Sequence, residues 1–334
     1  MTALDLIRPM VKGCYDLQML RMQAGLRLAA NFRAKLKVHE DEEVDLEAEA
    51  EGILDQLRKS YKTLIEGIAK NRTLPAREGF IGDPLIDSYP ELVLVHQFME
   101  FEKAEKGLFV RLGDMLEDLP IYTEYLSKQK GIGPAMGGVL VSSIDIHKAQ
   151  YASSVWKYAG LDVVIHACGQ CEGVGEINGK QCNACWGTGE LSKGRSRREE
   201  HLVERTYIDK NGVEKTRMGI TYEPWLKTKM FVLASNFMRA GSPWVQHYRN
   251  YHHRILSDRK RIKVTTVEWK KMHKQGEYVD HLWTPGRLDN ASKRYMIKMF
   301  LADFWKTWRT MEGLPTPDPY HEGILGHKHH ATDK

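Results

Sequence analysis

Four of the five cysteines in this 334-residue chain fall between residues 168 and 185, in the stretch CGQCEGVGEINGKQCNACWGTG. Their spacing is C-x2-C-x10-C-x2-C: Cys168, Cys171, Cys182 and Cys185. Each pair can turn both thiolates toward one ion. The connection between the pairs, EGVGEINGKQ, is long enough to fold back as a hairpin. Four thiolates close a tetrahedral site with no open position, which is the donor set of one structural Zn2+ ion rather than of a reaction centre. Unpaired thiols, disulfides and a redox pair are the alternatives. The redox reading is opposed by the surrounding sequence, because neither pair follows a thioredoxin-like βαβ pattern. The block has few apolar residues of its own, so a bound ion would be what folds it. Cys14 stands alone near a helix start and reads as a packing residue.

Around this block the chain reads as mainly α. Leu17, Leu20, Ala24, Leu28, Phe32 and Leu36 recur at helical spacing, predicting a helix over 11–38. Ile53, Leu54, Leu57, Tyr61, Leu64 and Ile68 predict a second over 44–70, and a third is expected over 91–117. The intervening 71–89 has prolines, glycines and no periodicity, and reads as a loop. Residues 1–120 therefore form an expected helical hairpin or coiled-coil region, able to pair with a second copy. A plain helical bundle fits the same pattern.

The next stretch, YLSKQKGIGPAMGGVLVSSID (125–145), places GIGP between two segments of helical character. Gly131 and Gly133 permit a tight turn, and Pro134 suits the first turn of a following helix. This is the pattern of a helix-hairpin-helix, whose exposed amides can hold a phosphate. Lys130, Gly131 and Gly133 are accordingly candidate DNA contacts, with a simple interhelical turn as the alternative. A short helix ending near Gly160 follows. TYIDKNGVEKTRMGITY reads as a β-hairpin around Asn211-Gly212. Pro224, Ser242-Pro243 and Thr284-Pro285 mark three further helix starts, and Tyr295, Ile297, Phe300, Leu301, Phe304 and Trp308 read as core. The expected second region is 121–312, with 165–190 inserted into it as a small β element. A flexible tail is expected over 313–334, where His327, His329 and His330 lie.

The net charge is +5, and its distribution matters more than its size. Residues 39–51, HEDEEVDLEAEAE, are acidic. SKGRSRR (192–198) and RNYHHRILSDRKRIK (249–263) are basic. Grouped cations suggest a polyanion-binding face, and a solvated helix face is the bland alternative. Lys193, Arg195, Arg197, Arg198, Arg259, Lys260 and Arg261 are the candidate contacts. No window approaches the ~18 apolar residues of a membrane span. The first residues, MTALDLIRPMVKGCYDL, lack a secretory pattern, and the expected location is the cytoplasm.

Two resemblances add to this reading. Both cysteine pairs extend to CxxCxGxG, CGQCEGVG and CNACWGTG, which resembles the zinc knuckles of the DnaJ-type cysteine-rich domain. The order KGIGPAMGGVLVSSIDIHKAQYASSVWKYAGLD, WLKTKMFVLASNFMRAGSPWVQHYRNYHHRI, ASKRYMIKMFLADFWKTW resembles the C-terminal half of the "IS one-ten" class of insertion-sequence transposases, which includes bridge-RNA-guided recombinases. The likeness spans residues 90–312, with the cysteine block as an insertion. It implies a helix-hairpin-helix transposase domain, DNA as partner, a possible RNA guide or branched substrate, and a serine nucleophile in a basic loop. Ser192, with Ser196 nearby, is the position in a comparable context. The sequence departs from the family in two respects that matter. The family's serine lies shortly after the AGL motif, whereas Ser192 and Ser196 both lie beyond the cysteine insertion. The family's RuvC-like domain supplies four acidic Mg2+ ligands, whereas residues 1–120 read as helix with no such tetrad. That leaves three readings open: a DNA-binding relative of the transposases, an active recombinase using Ser192, and a zinc-knuckle interaction scaffold. The third lacks the HPD tripeptide of J-type partners.

Overall fold

The computed structural model describes residues 3–33, 35, 46–66, 74–162, 165–192, 202–277, 279 and 281–317. The chain is mainly helical and divides into two compact units, Met1–Leu116 and Glu117–Lys334. Among the described residues no helix is long and apolar enough to cross a membrane.

The first unit packs three helices: α1 (Ala3–Arg33), α2 (Leu46–Glu66) and α3 (Tyr89–Leu116). α1 begins earlier than its apolar periodicity indicates and carries Pro9 inside it. Leu28, Phe32, Ile53, Leu54, Leu57, Tyr61, Leu92, Val95 and Phe98 form one apolar cluster, the i, i+3/i+4 faces of the three helices turned together. Leu20, expected on that face, is instead 47% exposed. Among the described residues of this unit two acids are buried, each with a cation: Glu102 accepts from Arg58 at 2.7 Å, and Glu105 accepts from Arg21 and Gln18. Residues 74–88 contain no helix or strand. Asp83 ties that loop together, accepting from the Leu85 and Ile86 amides at 2.8 and 2.7 Å.

The second unit is built on one long helix. Ahead of GIGP the chain does not form the regular helix the sequence pattern suggests. It forms a π-helical turn, Ile121–Tyr125, and a 3-10 turn, Leu126–Lys128. α4 (Pro134–Ser143) follows, with Pro134 in its first turn, and then α5 (Ala152–Tyr158). After the cysteine block come the hairpin of β5 (Leu202–Ile208) and β6 (Glu214–Ile220), α6 (Pro224–Ala240), α7 (Val245–Ser257), α8 (Thr266–Lys274) and α9 (Pro285–Met311). α9 is the axis. Phe300, Leu301, Phe304 and Trp308 are buried on it, and α5, α6 and α7 pack around it. Phe237 of α6 and Trp244 meet the Phe300 ring edge to face, at 5.2 and 5.6 Å. The indole of Trp156 donates to the Lys298 carbonyl at 3.0 Å. Buried Arg309 donates to the carbonyls of Ile146 and Ala149, satisfying the chain after α4, and its Nε reaches Pro315. Residues 313–315 are thus tied to α9 rather than loose. The rest of the expected tail, with its histidines, lies outside the described residues.

Two helix starts differ from their sequence signals. α9 opens as read, with Thr284 accepting from the Arg287 amide at 3.2 Å. α7 begins at Val245 with Trp244 as its cap, and the Ser242 hydroxyl is buried without a hydrogen-bond partner, so Ser242 caps nothing. α8 was not read from the sequence. Its signal was present as T-x-x-E: Thr265 and Glu268 form a reciprocal capping box.

Candidate metal centre and its basic neighbour

The cysteine block is closed at its base by two short strands, β1 (Ile165–Ala167) and β4 (Glu190–Ser192), which pair antiparallel. The connection between the cysteine pairs folds back as β2 (Glu176–Ile177) and β3 (Lys180–Gln181). Between them the two CxxCxGxG segments adopt one shape twice, related by an offset of fourteen residues in the sequence. Glu172 and Trp186 both hold positive φ, at 51° and 54°. The Cys168 amide donates to Gly189 O at 2.8 Å, and the Cys182 amide donates to Gly175 O at 2.9 Å. Gly175 and Gly189, at φ 87° and 70°, must be glycine on two counts. Their backbone is left-handed, and a Cβ would fall 2.6 Å from Gly187 O and 2.1 Å from Gly173 O respectively.

The consequence is a cluster of four buried sulfurs. Sγ of Cys168 lies 3.9 Å from that of Cys182, and Sγ of Cys171 lies 3.6 Å from that of Cys185. All four ligand atoms are within 4.8 Å of one another, and no cysteine is disulfide-bonded. A tetrahedral ion with metal–sulfur bonds of about 2.3 Å separates its sulfurs by about 3.8 Å, so one ion fits. Backbone amides face the sulfurs as well: Gly175 N donates to Cys171 Sγ at 3.2 Å. Burial raises the Cys168 thiol to about 11. Burial also opposes ionisation of Cys185, but hydrogen bonds from the Gly189 backbone, the Cys171 and Cys182 thiols and the Gly187 backbone outweigh it and bring it down to about 7. One thiol is thus already inclined to ionise, and a cation would draw the others after it. Among the described side chains, the only other buried residue of this apolar cluster is Ala184, with Ile177 half-buried against it. So small an apolar group cannot hold 28 residues folded, and the donor set fits a metal in that role.

The knuckle is fastened to one place on its unit that the sequence does not reveal. The Trp186 indole donates to the Lys260 carbonyl at 2.8 Å. Lys260 lies in the loop between α7 and α8, where Arg259 and Lys260 are exposed. Arg261 has a different position from the one expected of a contact residue. It bonds Asp258 at 2.9 Å and stacks on Trp283 at 4.6 Å, with Arg287 on the same ring at 4.7 Å. Arg261 therefore builds the loop, and its neighbours present charge. Between residues 245 and 277 nine Lys and Arg stand against three Asp and Glu, and all nine except Arg261 are exposed.

The other sequence candidates are dispersed. Gly131 has φ 96°, and a Cβ there would lie 3.1 Å from the Asn236 backbone, so its glycine serves close approach to α6. Gly133 caps α4, is exposed, and has open space beside it, and Lys130 before it is exposed. Ser192 is the last residue of β4, in register with Ile165. Lys193, Arg195, Ser196, Arg197 and Arg198 lie outside the described residues. Cys14 is fully buried and its thiol is raised by that burial, as a packing residue should be.

No protein-family model matches this chain, and no curated protein or solved structure matches it.

Proposed function

We propose that this chain is a DNA-binding protein in which one structural Zn2+ ion, held by Cys168, Cys171, Cys182 and Cys185, fixes a basic surface in place. The observation that carries this reading is the bond from Trp186 to Lys260: the metal-folded element is anchored on the backbone of the loop that carries Arg259, Lys260, Arg261 and Lys263. A staple there holds Arg259 and Lys260 in one geometry, which costs an anion less ordering entropy when it binds. The cations would bind phosphates without reading sequence, and Lys130 and Gly133 at the start of α4 would add a second point of contact. The resemblance to the helix-hairpin-helix domain of the transposases supports DNA recombination as the setting, with branched DNA or an RNA guide as natural companions.

The test is a salt titration of binding to duplex and branched DNA, with metal content measured on the same sample. Tight binding that falls steeply with salt and disappears when the metal is chelated supports the reading. Salt-insensitive binding, or binding indifferent to the metal, refutes it. A denaturing gel run beside it tests the catalytic alternative, in which Ser192 attacks a phosphodiester. A covalent protein–DNA adduct that is lost in Ser192→Ala would establish it.

Association through the first unit is part of the same proposal. Met19, Met22 and Leu26 lie along one side of α1 and are 52%, 53% and 57% exposed, an apolar seam suited to a second copy. Sedimentation of M19E/M22E/L26E against the unaltered chain tests it.

A further inference from the structure

β5 (Leu202–Ile208) and β6 (Glu214–Ile220) pair antiparallel in full register. From Val203 to Ile208 and from Glu214 to Met218 every residue is exposed. A two-stranded ribbon without a core is marginal in water, so packing does not account for what these strands carry. Cross-strand partners share a face, and the register sorts the side chains by charge. One face holds Val203 with Gly219, Arg205 with Arg217 and Tyr207 with Lys215. The opposite face holds Glu204 with Met218, Thr206 with Thr216 and Ile208 with Glu214, and no cation.

The cationic face has local order. The Arg205 stem crosses Gly219, where a Cβ would fall 2.8 Å from Arg205 Cδ, and its guanidinium donates to Ile220 O at 2.9 Å. Arg217 sits 5.2 Å from the Tyr207 ring. Lys215 is held by Asp209 at 2.6 Å, at the turn end of the same face. Two arginines directly opposite each other repel, a cost to a ribbon with nothing beneath it. An anion in front of them turns that repulsion into paired contacts. The major groove of DNA, about 12 Å wide, admits a two-stranded ribbon.

We infer that the β5–β6 ribbon is a second DNA-contacting arm, which lays its Arg205, Arg217 and Tyr207 face against the phosphates of duplex DNA. The inference rests on the DNA-binding reading above and is separable from it. The experiment uses the full metal-loaded chain and labelled duplex DNA across a salt series, with three variants. R205A/R217A should bind about ten-fold more weakly and lose about 1.8 units of the slope of log K against log salt, the share of two phosphate contacts. T206A/T216A, on the opposite face, should match the unaltered chain, and R259A/K260A should weaken binding through the other surface. If R205A/R217A binds like the unaltered chain while R259A/K260A does not, the ribbon is no arm and the DNA-binding reading stands. Equal loss in T206A/T216A overturns the assignment to one face. Loss seen on an RNA duplex but not on DNA overturns the choice of ligand. Absence of DNA binding by the unaltered chain overturns both readings.

Discussion

The indole of Trp186 donates to the carbonyl of Lys260 across 74 residues of sequence, at 2.8 Å. Trp186 occupies the left-handed position that Glu172 occupies in the other knuckle, so one copy of a repeated shape has been given an anchor that the other lacks the donor for. Trp186→Phe keeps the ring and removes the donor. Metal content should stay at that of the unaltered chain, while DNA affinity falls about five-fold, the worth of one net hydrogen bond of about 1 kcal/mol. Elemental analysis and a binding isotherm on one preparation check both halves. Loss of metal together with affinity would mean that Trp186 supports the knuckle itself.

Metal removal should act locally. A chelator strong enough to compete for four thiolates should abolish amide protection at the Cys168–Gly189 and Cys182–Gly175 bonds, because the apolar cluster there is too small to persist alone. Amides in the Leu57 and Phe98 core of the first unit should exchange as before. Hydrogen exchange read by mass spectrometry resolves the two. Global loss of protection would show that the ion supports far more than the knuckle.

Two glycines in the block separate conformation from contact. Gly179 and Gly189 have the same φ within a degree, 71° and 70°, but a Cβ on Gly179 would meet open space whereas one on Gly189 would fall 2.1 Å from Gly173 O. Gly179→Ala should cost about 1 kcal/mol, the left-handed penalty alone. Gly189→Ala carries the same penalty and a collision with backbone, and should lower metal affinity by well over ten-fold. Competition with a chromogenic chelator measures both. Equal effects would mean that the two backbone segments move apart freely.

Lys298 gives a pH dependence. Burial brings its ammonium down to about 8, Arg294 adds to the shift, and Asp162 opposes it. The side chain lies over Trp156, 5.1 Å from the ring. The folded protein releases this proton more readily than the unfolded chain. Between about pH 8 and the ordinary lysine value the unfolded state therefore binds more protons, and stability rises with pH. Below pH 8 the full burial cost is present. Lys298→Met should raise stability near neutrality by roughly 2 kcal/mol and remove the rise above pH 8. Chemical denaturation across pH 6–10 tests it. A variant less stable than its parent at pH 7 would show that the cation–ring contact outweighs burial.

Much of the fold was legible because its signals are local. The helix starts at Pro224 and Thr284, the apolar faces of α2 and α9, the hairpin turn at Asn211-Gly212 and the spacing of the four cysteines all follow from neighbours within a few residues. The errors share a different cause. Ser242 reads as a cap, but Trp244 packs on Phe300 and sets the helix start beyond it. Leu20 fits the apolar spacing of α1, but lies where its neighbours leave it exposed. The segment before GIGP looks helical, but Tyr125 is held by Asp303 at 2.7 Å and stacks on Phe300 and Phe304, and its backbone winds as a π turn there.

By itself the sequence determined a mainly helical chain, four cysteines spaced so that they could hold one metal ion, and the positions of its cations. Each of these depends on residue type and on spacing along the chain. Only the tertiary structure decided which cations face outward, that Arg261 is spent on Asp258 and Trp283 while Arg259 and Lys260 remain exposed, and that the knuckle rests on the Lys260 carbonyl. A backbone carbonyl has the same chemistry at every residue, so no pattern in the sequence can mark the one that a distant indole will find.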